Sequence, residues 1–154
     1  MTTFIGEHIC KIDSKGRILF PSSLKKQMAS SAEDKFVVKK EIFESCLILY
    51  PISEWEMQSE ILRQRINPYN KKHSTFLREF FRGAAEITLD GNNRLLIPKR
   101  LLEIAQINSE VVLAGQDGKI EIWAKELYEK SSMNETDFAN LAEEILGGQI
   151  NDKT

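Results

Sequence analysis

The 154-residue sequence predicts an α+β, β-rich fold made of two tandem copies of one short unit, with helices outside the strands. Three observations point there. Residues 6–24 (GEHICKIDSKGRILFPSSL) align without a gap with residues 83–101 (GAAEITLDGNNRLLIPKRL) at an offset of 77, and six of the nineteen positions are identical. Each copy reads strand, turn, strand, proline. Helical segments with their own start and stop signals fall between and after the copies.

In the first copy a strand ends at Asp13 and Ser14-Lys15-Gly16 make a turn; in the second a strand ends at Asp90 and Gly91-Asn92-Asn93 turn. A second strand, residues 17–20 or 94–97, runs into Pro21 or Pro98. Proline has no N–H for a ladder and suits the first turn of a helix, so short helices are expected over residues 22–28 and 99–105. A hairpin follows in each copy: residues 35–39 with 46–50, and 110–114 with 119–123, the latter turning at Gly115-Gln116-Asp117-Gly118. Ser53 with Glu56 reads as a capping box opening a helix to about Arg65, and Asn67-Pro68 ends it. Residues 73–82 form the next helix, with Phe76/Phe80 and Leu77/Phe81 at i,i+4 spacing, closed by Gly83. Asn134 caps a last helix whose stripe of Phe138, Leu141, Ala142 and Ile145 is expected to be packed, as are the aromatic pairs. Gly147-Gly148 stop it, and the final residues are expected to fray. The division is 7–54 for the first repeat, 55–82 for a helical connector, 83–126 for the second repeat and 127–154 for the C-terminal helix and tail.

Composition bounds the function. Hydrophobic residues are 42% and charged residues 29%, ordinary for a soluble globular chain able to bury a core without a metal or disulfide staple. No apolar run is long enough to span a membrane, and the N-terminus lacks the pattern of a signal peptide. Cys10 and Cys46 form no C-x-x-C pair and sit in apolar, strand-like surroundings. They read as reduced, packed cysteines of a cytoplasmic protein; a disulfide or a reactive thiol is the alternative. The net charge is −2, but it is unevenly spread: residues 11–26 carry +4, residues 82–101 carry +2 and residues 126–154 carry −5. A basic front of this kind suits a phosphate backbone, although solvated surface charge would look the same.

The repeated element is Asp-x-x-x-Arg, three apolar residues and Pro: Asp13 to Pro21, then Asp90 to Pro98. The aspartate can accept from turn N–H groups and shape the loop. The arginine starts the next strand at the loop mouth, where its fork can meet a phosphate or a guanine edge. One copy alone reads better as a structural hairpin with a stray arginine; two copies argue for a purpose.

The paired motifs, Gly6 and Gly83, the segment LILYPISEW at residues 47–55, the joint Phe80-Phe81-Arg82-Gly83-Ala84-Ala85 and Glu121-Ile122-Trp123 resemble the MraZ family over nearly the whole chain. The resemblance implies two tandem AbrB-like (SpoVT-AbrB type) swapped-hairpin half-units forming one interlocked, β-barrel-like body with peripheral helices. It further implies a nucleoid-associated transcriptional regulator of the division and cell-wall gene cluster and of its own promoter, binding direct repeats in double-stranded DNA as a ring-shaped homo-oligomer. By position, the DNA contacts would be Lys15, Arg17, Arg94 and Asn92, with Asp13, Gly16, Asp90 and Asn93 shaping the loops. The second loop departs from the family pattern. Asn93 stands where glycine is usual, and Asn tolerates positive φ best among other residues. Asn92 replaces the lysine of position 15, so this loop offers less charge. Lys11, Lys25, Lys99 and Arg100 are weaker candidates for phosphate contacts.

An enzyme is disfavoured. The chain has no G-x-S-x-G, H-E-x-x-H, P-loop or G-x-G-x-x-G, and His8 and His73 have no partner at metal spacing, so no cofactor, metal or small-molecule substrate is expected. The remaining alternative is an oligomeric protein-interaction scaffold without direct promoter binding.

Overall fold

The computed structural model describes residues 2–28 and 34–148. The first half contributes β1 (Glu7–Lys11), β2 (Arg17–Leu19), α1 (Ser22–Lys26), β3 (Lys35–Lys40), β4 (Leu47–Pro51), α2 (Ile52–Arg65) and α3 (Lys71–Phe81). The second repeats that order with β5 (Ala85–Thr88), β6 (Arg94–Leu96), α4 (Lys99–Ile104), β7 (Glu110–Gln116), β8 (Lys119–Ala124), α5 (Lys125–Lys130) and α6 (Glu135–Leu146).

Read locally, β1 and β2 look like the arms of one hairpin, as do β5 and β6. They do not pair that way. Beyond one bridge, Ile12 to Ile18, β1 pairs with β7 and β2 with β6. Likewise β5 pairs with β3, and β4 with β8. Among the described residues, only the β3–β4 and β7–β8 hairpins lie within a half. The result is a six-stranded antiparallel sheet, β1-β7-β8-β4-β3-β5, and a two-stranded ribbon, β2-β6. Exchanging each strand for its counterpart in the other half reverses the sheet order and leaves it unchanged, so the halves are related by a pseudo-twofold axis. Ile18 and Leu95, equivalent at the repeat offset, pair directly with each other in the ribbon.

The core belongs to both halves. Phe4, Ile18, Leu24, Phe36, Leu47 and Leu49 from the first pack in one cluster with Leu95, Leu101, Leu113, Ile120 and Ile122 from the second, all fully or almost fully buried. Burying each such side chain contributes about 1.5–3 kcal/mol, and neither half can recover that alone. Outside the sheet, α2 lies against β3 and β4, and α5 against β7 and β8. The anchors mirror each other with types exchanged: Tyr50 meets Trp55 at 5.6 Å, and Trp123 meets Tyr128 at 5.9 Å. Both cysteines are free thiols, Cys46 buried and Cys10 half-buried.

Several local expectations shift. The second hairpin turns on Asp117-Gly118 alone, with Asp117 at φ 60° and Gln116 paired to Lys119, because β7 runs on past Gly115. A Cβ on Gly115 would lie 2.7 Å from the backbone of Phe4 and Ile5, so the strand passes there without a side chain. The α2 helix begins at Ile52 with Pro51 at its N-cap, which places Ser53 inside the first turn rather than at the cap. The α3 helix starts earlier than residue 73, because the Asn70 side chain accepts from the N–H groups of Lys72 and His73. Asn134 does cap α6, accepting from Asp137 N–H at 2.8 Å.

The expectation that the apolar side chains of α6 are packed is overturned: Phe138 is 63% and Ile145 68% exposed. The aromatic pairs of α3 are packed only in part. Phe80 stacks on Trp55 with ring centroids 6.1 Å apart, whereas Phe76 and Phe81 remain substantially exposed. The expected fraying concerns residues 149–154, which lie outside the described residues.

Candidate nucleic-acid interface

The two Asp-x-x-x-Arg loops are built alike, bond for bond. Asp13 Oδ1 accepts from the N–H groups of Lys15 at 3.0 Å and Arg17 at 2.9 Å, and Asp13 Oδ2 accepts from Arg17 Nε at 2.7 Å. Asp90 Oδ1 accepts from Asn92 at 2.8 Å and Arg94 at 2.9 Å, and its Oδ2 accepts from Arg94 Nε at 2.9 Å. Backbone bonds close each turn: Gly16 N–H to Asp13 O and Asn93 N–H to Asp90 O, both 3.0 Å. Closure requires positive φ at the residue before the arginine. Gly16 adopts 85°, and Asn93 adopts 59° in the left-handed region that asparagine tolerates.

Each loop is then tied to the opposite half. Ile97 N–H donates to Gly16 O at 2.9 Å, and Phe20 N–H donates to Asn93 O at 2.8 Å. The strand exchange therefore fixes the loops relative to one another through backbone bonds, not only through side-chain packing.

Alternation along the ribbon sets the direction of the side chains. Ile18 and Leu95 are fully buried, so Arg17, Leu19, Arg94 and Leu96 share the opposite, outer face. In the antiparallel register Arg17 faces Leu96 and Leu19 faces Arg94, which puts the two arginines at diagonal corners with two leucines between them. Leu19 is 60% and Leu96 55% exposed, so this face offers two apolar side chains to solvent. Leu19 and Leu96 are one of the identical pairs of the repeat, and strict alternation after each arginine is the sequence signal for their outward direction.

The ion pairs organise more than they stabilise. Both are solvent-accessible, and exposed pairs contribute little to folding. Their effect is to hold each guanidinium by Nε, which leaves the two Nη groups of each arginine for an incoming acceptor. Arg17's backbone N–H holds the Asp13 carboxyl below the usual carboxylate range; partial desolvation opposes this, and the Arg17 side chain and Lys15 N–H reinforce it. Asp90 is lowered in the same way, first by Arg94's backbone N–H.

The folded carboxylates bind protons less readily than unfolded ones, whose pKa is about 3.9. Their contribution to loop order is complete above about pH 5 and is lost as pH falls through the lowered folded values. In NMR titrations the amide protons of Lys15, Arg17, Asn92 and Arg94 should keep their hydrogen-bonded shifts to below about pH 4. Titration at the ordinary value or above would contradict the loop geometry.

No group of three or more His, Cys, Asp or Glu among the described residues could hold a metal ion, and no helix among them is long and apolar enough to cross a membrane. What the fold presents is a pair of mirrored, backbone-locked loops. Interlocked half-units of this kind, each lending strands to the other and carrying an arginine at its loop, define a class of strand-exchanged tandem-repeat proteins. Within that class the chain belongs to the MraZ family. The family model, described as MraZ protein and antitoxin-like, matches twice, over residues 3–79 and 80–147. Similar proteins named "Transcriptional regulator MraZ" include one from Bacteroides fragilis, 44% identical over 95% of this chain and 92% of that protein. One from Flavobacterium psychrophilum is 42% identical over 99% and 96% of the two chains. One from Clostridium tetani is 37% identical over 92% and 96%. By these names the family is one of regulators, not of enzymes.

Proposed function

We propose that the protein is a sequence-specific DNA-binding transcriptional regulator, cytoplasmic and associated with the nucleoid, that acts on the division and cell-wall gene cluster and on its own promoter. In this reading residues 7–54 and 83–126 are the DNA-facing repeats, 55–82 the connector and 127–154 the C-terminal helix and tail. The observation that carries it is the shared outer face of the β2–β6 ribbon, where two pre-oriented arginines stand at the mouths of two rigid loops. Their Nη groups suit a bidentate grip on guanine or phosphate. Lys15 and Asn92 extend from the turns toward the backbone, and Leu19 and Leu96 offer apolar contact to thymine methyl groups. Gel-shift titration against a duplex from upstream of its own gene tests this: specific binding that weakens steeply with salt is expected, and binding no tighter than to unrelated DNA would overturn it.

One subunit offers few contacts, so several subunits acting on successive direct repeats would supply the rest by avidity. The exposed stripe of α6 supports such a ring. Phe138, Leu141 and Ile145 lie on a segment, residues 125–148, with six acidic and two basic side chains. Residues 52–82 expose Met57, Ile61 and Phe76 among six basic and four acidic side chains. An α6 of one copy on the α2–α3 pair of the next makes a head-to-tail contact, which repeats until it closes. Replacing both Phe138 and Ile145 by Glu should reduce the light-scattering mass to one subunit with the circular dichroism unchanged. Affinity for DNA carrying several repeats should then fall by an order of magnitude or more. An unchanged mass would remove α6 from the assembly.

A further inference from the structure

We propose that Lys25, in α1 of the first half, is the cation of the second loop, so that DNA contact there is made by a composite of both halves: Lys25, Asn93 and Arg94. This rests on the DNA-binding reading above. Lys25 Nζ donates to Asn93 Oδ1 at 2.7 Å, across 68 residues of sequence and beside Arg94.

The pseudo-twofold gives this contact its meaning. At the repeat offset the counterpart of Asn93 is Gly16, and the counterpart of Lys25 is Leu102. Those two also meet: a Cβ built on Gly16 would lie 3.3 Å from Leu102 Cδ1. Thus the first loop joins a glycine to an apolar neighbour, and the second joins an asparagine to an ammonium. The two exchanges go together physically. A leucine over Asn93 would leave Oδ1 without a donor, and a lysine over Gly16 would find no side-chain acceptor.

The exchange also restores charge. The first loop carries Lys15 and Arg17 from its own turn. The second has Asn92 at the position of Lys15, and Lys25 brings a second cation to it from the opposite half. The ammonium has three donors. One is held by Asn93, and the Asp34 carboxylate stands at 3.8 Å, beyond hydrogen-bond distance but close enough to draw it. The side chain is 32% exposed, so donor capacity remains for a phosphate.

The test is the salt dependence of binding to the duplex from upstream of the gene, with wild type, Lys25→Met, Lys25→Gln and Lys25→Arg. Methionine keeps the apolar stem, glutamine keeps a donor near Asn93 without the charge, and arginine keeps both. Loss of one phosphate contact lowers the log–log salt slope by about one. Lys25→Met and Lys25→Gln should each show that drop, and Lys25→Arg should recover the wild-type slope. If Lys25→Met melts early, Lys25→Gln carries the test. Should Lys25 only brace Asn93, the neutral variants would keep the wild-type slope, with or without a uniform loss of affinity; that result overturns the proposal. Failure of the wild type itself to bind the duplex would instead overturn the wider DNA-binding reading.

Discussion

Arg17→Ala is expected to weaken binding to the upstream duplex roughly 5- to 150-fold, the range that corresponds to losing one bidentate base contact of about 1–3 kcal/mol. Arg94→Ala is expected to fall in the same range. The two arginines are held alike, Nε to an aspartate at 2.7 and 2.9 Å, and stand diagonally across one ribbon face. The charge of Lys15 would by itself make the first loop the stronger, but Lys25 offsets that at the second. Because the aspartates fix each guanidinium before DNA arrives, little side-chain freedom remains to be lost on binding. The ion pairs lost with the arginines are solvent-accessible and contribute little to folding, so melting temperatures should barely change. The double variant should multiply the two losses and leave only weak, sequence-independent binding. Full-strength binding by the double variant would place the DNA elsewhere on the molecule.

The second large effect is on stability. Leu95→Ala should cost about 2–5 kcal/mol, a large share of what a domain of this size has to spare. Leu95 is fully buried in the central cluster, and it pairs with its own counterpart Ile18 on the pseudo-twofold axis. The loss should therefore be felt in both halves equally. The chain's two tryptophans, Trp55 and Trp123, lie one in each half and can report separately. Trp55→Phe and Trp123→Phe leave one probe each. In urea, both should show the same midpoint, and Leu95→Ala should lower both by the same amount. Two separate transitions would mean that the halves fold as independent units, contrary to the exchanged strands.

Much of this was legible in the sequence, for physical reasons that differ by element. The repeat, the turns and the two true hairpins are local events, governed by residues a few positions apart, and the Asp-x-x-x-Arg loops could be read from side-chain chemistry alone. Asn93 at positive φ followed from what an L-residue tolerates. The strand exchange is another matter. Residues 7–20 have the pattern of a hairpin, and local pattern cannot say that β1 takes β7 as its partner; only the resemblance to a family implied it. The α6 stripe shows the converse difficulty. Its spacing says that an apolar face needs cover, but not that the described residues of the same chain leave it open. Lys25 on Asn93 had no local signal, since it depends on the halves being interlocked first. Leu19 and Leu96 were within reach of simple alternation.

The most direct measurement is where bound DNA lies relative to the ribbon face. In a Cys10→Ser background, with Cys46 buried and left in place, a single cysteine at Lys15 or at Asn92 can carry a DNA-cleaving iron chelate. Both residues sit on the turns that precede the arginines. If the loops face the DNA, each conjugate will cut the upstream duplex at discrete positions, and the cuts from residues 15 and 92 will bracket the same short segment. Absence of cleavage by both conjugates while binding persists would contradict the assignment of this face to DNA.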